Sequence, residues 1–260
     1  MNDSASTTGV TLLVVAAPAE AAAVLRGLRA ETGLAERPWE LHQVRCADPA
    51  HPIRGPIDLI VTGIGKTNAA GAVGRVLDAA RHHRVLSLGV AGALPGSGLA
   101  LGAVVAATAS VYADEGVSTP DGFLECAAIG FPLGPPPIAG SAIMCSPATI
   151  ALLAAAADVQ GPIATVSTCS GTDELAALVR SRTGALAEAM EGAAVGQVVA
   201  RVNALAQASG AAAPPIEFGE LRVISNTTGD RKGQTWAIKP ALARLERAIA
   251  GETLFTAATT

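Results

Sequence analysis

The stretch LRVISNTTGDR, residues 221–231, contains the end of an apolar strand followed directly by polar and turn-forming residues. The apolar run 221–224 stops at Ser225 and Asn226, and the next four residues favour a turn. Open α/β sheets bind ligands at the carboxyl ends of their strands, so Asn226 is expected at a binding site. Its amide offers hydrogen-bond donors and an acceptor together. It therefore matches a 6-oxopurine such as hypoxanthine or guanine better than it matches adenine.

Around this stretch, short apolar runs alternate with helical patterns, which is typical of a mostly parallel sheet covered on both faces by helices. The predicted strands are residues 11–16, 39–46, 57–62, 85–89, 104–112, 163–168, 185–190 and 219–225. The predicted helices are residues 19–30, 67–82, 147–157, 173–182, 192–208 and 240–250. We predict one three-layer α/β/α domain with a mixed, mostly parallel central sheet over residues 10–251, between a disordered tail at 1–9 and a C-terminal tail at 252–260.

The composition excludes several classes of protein. With 260 residues, 50% of them hydrophobic and 15% charged, the chain suits one well-buried domain and is too apolar to be mostly disordered. A formal net charge of −4 without a basic cluster argues against nucleic acid and anionic membranes as partners. Aromatic residues make up 3% of the chain, which leaves few surfaces on which bases could stack. No apolar run approaches the roughly 20 residues of a membrane span.

The cysteines and histidines do not form a metal-binding pattern. The cysteines, which lie far apart without a CxxC pair, indicate a reducing cytoplasm. His82 and His83 end a predicted helix, where a surface or capping role is expected. His42 and His51 lie in or beside a loop rich in proline. We therefore expect no metal and no organic cofactor.

Polar or glycine-containing segments follow five of the predicted strands. They are Glu20, the turn 63–66, the run 89–92, the pair 190–191 and the pair 225–226. Because these five strand ends meet at one edge of the sheet in a chain otherwise poor in polar groups, they favour a small-molecule site.

Each of these motifs also has an ordinary structural explanation. The turn 62–70 fits neither GxGxxG, since Asn68 replaces the third glycine, nor a P-loop, so its glycines are explained equally well by a tight turn. Glu20 is either a carboxylate that stabilises its helix by ~0.3–1 kcal/mol or a general base whose pKa is raised by an apolar pocket. Met190 is ordinarily core filler. Glu191 needs a partner, and its two oxygens match a sugar diol.

Together these segments resemble the nucleoside phosphorylase and nucleosidase superfamily, and within it the futalosine hydrolases, over residues 12–245. The resemblance implies a nucleoside phosphorylase-like fold, hydrolysis of an N-glycosidic bond and a homo-oligomer. The matching segments are Glu20, GIGKTNAAGAV (63–73), LGVAGAL (88–94), YADEG (112–116), TPDGF (119–123), MEGAAV (190–195) and RVISNTTGDR (222–231).

The resemblance also implies roles for individual residues. Glu20 would activate water, and Glu191 would bind the ribose hydroxyls with Met190 packed beneath the sugar. The other positions carried over are Arg222 and Ser225, which would position the water and the strand end, and Ala91 and Gly92, whose backbone would line the ribose side.

Asn226 stands where methylthioadenosine/S-adenosylhomocysteine nucleosidases carry an aspartate, which indicates futalosine, whose base is hypoxanthine, as the substrate. Phosphorylases hold phosphate with arginines, but here Glu20 and residues 87–88 occupy those places. A carboxylate repels phosphate and can activate water, so water is the expected nucleophile. The expected reaction releases hypoxanthine and dehypoxanthine futalosine in menaquinone biosynthesis. The alternatives are an adenine-releasing nucleosidase for methylthioadenosine, S-adenosylhomocysteine or aminofutalosine, a non-catalytic nucleoside-binding relative, and a dinucleotide-binding oxidoreductase.

Two further expectations concern the surface. Tyr112, Phe123 and Phe131 cluster in an aromatic-poor chain, which favours a subunit interface through residues 112–136. Asp230 is expected to pair with Arg231 or Lys232. Either of those cations, or a loop arginine, is a candidate to meet the benzoate of futalosine.

Overall fold

A computed structural model describes residues 9–30, 37–48, 50–53, 55–134, 140–212 and 214–251. Residues 1–8 of the predicted N-terminal tail at 1–9, the predicted C-terminal tail at 252–260, and residues 135–139 of the proline-rich run lie outside these ranges. A 3₁₀ helix covers Cys126–Ile129. The strands and α-helices, in chain order, are β1 (Val10–Val15), α1 (Pro18–Gly27), β2 (Leu41–Val44), β3 (Ile57–Val61), α2 (Lys66–Val76), β4 (His82–Ala93), β5 (Val104–Tyr112), β6 (Gly116–Thr119), β7 (Gly122–Glu125), β8 (Ala142–Met144), α3 (Pro147–Ala154), β9 (Val159–Thr165), α4 (Asp173–Thr183), β10 (Ala187–Ala189), α5 (Gly192–Ala208), β11 (Glu217–Thr227) and α6 (Ile238–Ile249).

Within the described ranges, nine strands form one mixed sheet in the order β10-β9-β5-β11-β4-β1-β3-β2, with β8 paired to β5. Strand β10 also pairs antiparallel with β4, so β10, β9, β5, β11 and β4 close into a ring. The length of β4 allows this closure. One edge of β4 pairs with β11. The other edge pairs with β1 as far as Ser87 and then with β10 at Gly92 and Ala93. The mixed sheet is confirmed, whereas the ring was not predicted.

Helices cover both faces of the sheet, as the predicted three-layer architecture requires. Helices α2 and α5 pack against one face, and α1 and α6 pack together against the other. Leu12 and Leu13 are both fully buried, one in each of the two apolar clusters. A strand buried on both faces reads as a continuous apolar run, as β1 does. None of the described helices is both long enough and apolar enough to cross a membrane.

The predicted helix 67–82 was wrong in its last six residues, because α2 ends at Val76 and His82 begins β4. The surface or capping role predicted for His82 was also wrong. Its side chain is buried, and its Nε2 lies 3.1 Å from Oδ2 of Asp58, which is itself buried in β3. Arg81 donates to the same carboxylate at 2.7–2.9 Å. A buried carboxylate needs such partners, and they draw residues 81 and 82 towards β3.

Candidate functional site

The candidate site opens where one edge of β4 changes partner. Strand β1 pairs with that edge only as far as Ser87, and β10 takes over at Gly92. Helix α1 starts directly after β1 with Pro18 in its first turn, a position where proline costs no hydrogen bond. Glu20 therefore lies beside the open edge, where its Oε1 accepts a hydrogen bond from the Val90 amide at 2.9 Å.

Glu20 has the environment required by both explanations that the sequence suggested, stabilisation of its helix and action as a general base. Its Oε2 accepts hydrogen bonds from the amides of Ala16, at 3.2 Å, and Ala17, at 3.0 Å, so it caps its own helix. The residue is 5% exposed. Burial raises the pKa of this carboxyl, although Arg222 and the backbone amides oppose the shift. A carboxyl group with a raised pKa is a better proton acceptor near neutral pH than an ordinary glutamate.

Gly89 lets two charged side chains meet across β4. A Cβ atom at this position would collide with Oε1 of Glu20 and with an Nη atom of Arg222, at distances that real structures do not show. The glycine of the LGVAGAL segment is thus required for close approach of the two groups rather than for a turn.

Arg222 is 1% exposed, and its guanidinium is surrounded by carboxylates. Its Nε donates to Glu220 at 2.8 Å, and its Nη2 lies 3.4 Å from Oε2 of Glu191 and donates to the Ser87 hydroxyl at 3.0 Å. Burial alone would lower the pKa of Arg222, but Glu220, Glu191 and Glu20 together raise it. We call Glu20, Glu191, Glu220 and Arg222 the carboxylate cluster. Because it contains three carboxyl groups and only one cation, the cluster strongly disfavours an anionic nucleophile such as phosphate.

Glu191 connects the cluster to the glycine turn after β3. It is the N-cap residue of α5, and its Oε1 accepts a hydrogen bond from the Gly65 amide at 3.0 Å. Gly65 has a φ of 95°, which a residue with a side chain rarely adopts. The next residue, Lys66, binds Asp114 and Glu115 at 2.5 and 2.8 Å. The turn is therefore both a tight turn and a support for the site, and it joins the GIGK and YADEG motifs.

Asn226 lies on β11, which pairs with the other edge of β4, and it is beside a β-bulge. The register of β11 against β4 shifts between Ile224 and Asn226, and a bulge of this kind re-aims the side chains at a strand end. The Ser225 hydroxyl donates to the carbonyl of Ala91 at 3.2 Å and contacts Oδ1 of Asn226 at 2.9 Å. The Asn226 Nδ2 donates to the Thr227 carbonyl at 2.9 Å and lies directly against Gly92. An amide NH₂ has two protons, so one remains for a ligand.

The structure thus brings the sequence-predicted residues to one stretch of β4. Glu20 and Arg222 meet at Gly89, and Glu191 contacts the Arg222 guanidinium. Ser225 and Asn226 lie against residues 91 and 92. Met190 precedes Glu191, is partly buried, and its Sδ lies 3.4 Å from Sγ of Cys169.

Sequence reasoning missed several residues of the site. Glu220 is fully buried and could have been found, because it lies two positions before Arg222 and therefore on the same face of the strand. No local signal pointed to the buried Glu188, which accepts hydrogen bonds from the amide and hydroxyl of Ser170 at 2.8 and 2.5 Å. Ser87 was noted only for not being an arginine, yet it holds the guanidinium of Arg222.

A family model described as "Phosphorylase superfamily" matches residues 11–254. The chain belongs to the phosphorylase superfamily. Its curated relatives include futalosine hydrolase from Acidothermus cellulolyticus, 35% identical over 246 residues that cover 92% of this chain and 88% of the relative. Futalosine hydrolase from Streptomyces coelicolor is 36% identical over 200 residues, covering 74% of this chain and 76% of the relative. The predicted resemblance is confirmed.

Solved structures of the superfamily share the fold. The 5′-methylthioadenosine/S-adenosylhomocysteine nucleosidase from Neisseria meningitidis, in complex with methylthio-immucillin-A, has a TM-score of 0.69 at 23% identity. The comparison covers 94% of this chain and 98% of that one. The nucleosidase from Colwellia psychrerythraea, in complex with adenine, has a TM-score of 0.68 at 20% identity, covering 94% of each chain. At these identities the likeness confirms the predicted fold class.

Proposed function

We propose that this superfamily member hydrolyses the N-glycosidic bond of futalosine and releases hypoxanthine and dehypoxanthine futalosine. The observation that carries the proposal is the buried Glu20, whose pKa is raised and which lies beside Arg222 in a cluster that disfavours phosphate. The identity of 35% to a futalosine hydrolase over 92% of the chain supports futalosine as the substrate.

In the proposed mechanism, Glu20 removes a proton from a water molecule that attacks C1′ of the ribose. The C1′–N9 bond breaks and its electron pair moves into the purine, so positive charge develops on the sugar ring. The purine anion then takes a proton from solvent and leaves as hypoxanthine, and Glu20 returns its proton to solvent. Glu191 accepts hydrogen bonds from the 2′ and 3′ hydroxyls, and the negative charge of the carboxylate cluster stabilises the oxocarbenium-like transition state.

The remaining proposed site residues position the substrate. Met190 packs beneath the ribose, and the backbone of Ala91 and Gly92 lines its other side. Arg222 orients the attacking water through its contacts with the cluster, and Ser225 fixes the strand end at the Ala91 carbonyl. Asn226 donates its remaining N–H to O6 or N7 of the departing base.

Asn226→Asp is expected to shift the preference from hypoxanthine towards adenine nucleosides. Aspartate has no N–H, so hypoxanthine loses the donor that Asn226 offers to its O6 or N7. A carboxylate oxygen can instead accept a hydrogen bond from the 6-amino group of adenine. We expect the ratio of kcat/KM for futalosine to that for aminofutalosine to fall at least about tenfold, equivalent to ~1.4 kcal/mol. An unchanged ratio in a folded variant contradicts the role assigned to Asn226.

Base choice in the wild type tests the proposal itself. Purified protein is incubated with futalosine, aminofutalosine and methylthioadenosine, and the released base is identified by chromatography. Hypoxanthine from futalosine, with little adenine from the other two, supports the proposal. Release of adenine would instead identify the protein as an adenine-releasing nucleosidase. If none of the three substrates releases a base, a nucleoside-binding role without catalysis is favoured.

We further propose that the protein acts as a homo-oligomer in the cytoplasm, in menaquinone biosynthesis. The interface predicted through residues 112–136 needs correction in one respect, because Tyr112 is buried and Phe123 lies under the Arg182 guanidinium. Phe131, however, is 73% exposed, and other apolar side chains around the β6–β7 hairpin are exposed with it, namely Val117, Leu124 and Ile129. Light scattering is expected to give at least twice the 25.8 kDa of one chain, and a monomer would contradict the interface.

A further inference from the structure

Arg231 lies at the end of the segment that follows Asn226, and its charge is not neutralised by a neighbouring acid. Among the described residues, no carboxylate lies within 4.0 Å of its guanidinium, whereas Lys66 is held by Asp114 and Glu115. The predicted ion pair between Asp230 and Arg231 or Lys232 is wrong within these ranges. Asp230 instead exchanges carboxylate-to-amide hydrogen bonds with Asp173, at 3.0 and 3.2 Å.

The guanidinium of Arg231 is held in place by neutral groups. Its Nη1 donates to Oε1 of Gln234 at 3.0 Å, and its Cζ lies 4.5 Å from the centre of the Trp236 ring. Gln234 is itself fixed, because its Nε2 donates to the carbonyls of Ser170 and Gly229 at 3.0 and 2.8 Å. An arginine ordered in this way loses less entropy when it binds an anion.

This segment folds back onto the candidate site. Trp236 forms an antiparallel bridge with Asn226, and the Ala237 amide donates to the Ser225 carbonyl at 2.7 Å. The Trp236 ring is nevertheless exposed, since the residue keeps 47% of its accessible surface. An exposed tryptophan beside the strand end offers a flat apolar face to an aromatic ring.

The charge of Arg231 also affects Cys169, which contacts Met190. Burial raises the pKa of the Cys169 thiol, with Glu188 and Glu191 adding to the shift, and Arg231 opposes them. Sγ of Cys169 lies 3.4 Å from Sδ of Met190, the residue proposed to pack beneath the ribose. Cys169 therefore contacts Met190 and also experiences the charge of Arg231.

The carboxylate cluster creates a need for such a cation. Futalosine carries a benzoate at the far end of its 5′ side chain, and a site with an excess of acids repels this anion. Arginine pairs with a carboxylate through two parallel hydrogen bonds, which lysine cannot form. We infer that Arg231, held by Gln234 and Trp236, binds the aryl carboxylate of the substrate while Trp236 contacts its ring. This inference rests on the proposed function.

The test compares futalosine with its methyl ester, which has the same scissile bond and the same base but no charge. For Arg231→Gln we expect KM for futalosine to rise about tenfold or more with kcat nearly unchanged. KM for the ester should stay at the wild-type value, and Arg231→Lys should recover only part of the loss on futalosine. Lys232→Gln, the matched control on the adjacent cation, should leave both substrates unaffected. Equal losses on acid and ester, or no loss on either, would overturn the inference.

A binding measurement separates this inference from the proposed function. In a Trp39→Phe background Trp236 is the only tryptophan, so its fluorescence reports ligands that approach its ring. Titration with 3-acetylbenzoate, the isolated end of the substrate, should change this fluorescence, and Arg231→Gln should abolish the response. That result supports the aryl carboxylate site even if wild-type protein releases no base, in which case the proposed function alone is wrong. A response that does not depend on Arg231 overturns the inference.

Discussion

Glu20→Gln is expected to lower kcat for hypoxanthine release about 1000-fold, within the range of general base catalysis, while substrate binding changes little. Glutamine keeps the length of the side chain and its carbonyl oxygen can still accept from Val90, but it cannot take a proton from water. Single-turnover kinetics measure the chemical step and equilibrium binding measures affinity. The exposed Glu174→Gln, in the first turn of α4, is the matched control and should retain full activity.

The same substitution is expected to weaken the dependence of stability on pH above about 4.5, although the glutamine NH₂ cannot accept the hydrogen bonds from Ala16 and Ala17. The pKa of Glu20 is raised in the folded state above its ordinary value of 4.5. As pH rises past that value, Glu20 ionises in the unfolded chain before it ionises in the folded protein. Stability therefore decreases with rising pH until the folded-state pKa is reached, and it stays constant above that pKa. Glutamine does not ionise. A variant whose stability falls with rising pH as steeply as that of the wild type would contradict this interpretation, as would near-normal turnover.

Arg222→Met is expected to reduce the free energy of unfolding by about 3–5 kcal/mol, the usual cost of breaking a buried ion pair. Methionine fills much of the same volume but leaves Glu20, Glu191 and Glu220 without their shared cation. The midpoint of denaturant unfolding at pH 7.5 measures the loss. The surface substitution Arg247→Met, in the last turn of α6, should change the midpoint little.

A second substitution makes this prediction specific to charge. Glu220 is 0% exposed and accepts from Arg222 through one oxygen and from Ser110 through the other. Adding Glu220→Gln to Arg222→Met removes one unpaired buried charge, so the double variant should recover part of the lost stability. If the double variant is no more stable than Arg222→Met alone, packing rather than charge explains the importance of Arg222.

The sequence predicted the fold well where apolar runs are long and buried. Strand β5 and helix α5 have the predicted bounds, because their patterns are continuous and their ends are marked by polar or glycine residues. The hairpin β6–β7 and strand β8 were missed, since segments of three or four half-exposed residues carry no clear alternation. The ring depends on a β4–β10 pairing between residues nearly 100 positions apart in sequence, which periodicity cannot reveal.

The candidate site was predictable to the extent that strand ends collect ligand-binding groups. Glu20, Glu191 and Asn226 stood out because each is polar in apolar surroundings. The reason Gly89 must be glycine could not be read from sequence, because Glu20 and Arg222 approach it from segments about 200 residues apart. The neutral support of Arg231 by Gln234 and Trp236 was hidden for a related reason, since neighbouring charges suggested an ion pair that does not form.

Hypoxanthine release from futalosine in the complete absence of phosphate is the most direct test of water activation by Glu20. The rate is measured in phosphate-free buffer and again with added phosphate, and the sugar product is identified by mass spectrometry. We expect equal rates and a free reducing sugar, dehypoxanthine futalosine, under both conditions. A rate that requires phosphate, with a sugar 1-phosphate as product, would contradict a hydrolytic site built around the carboxylate cluster.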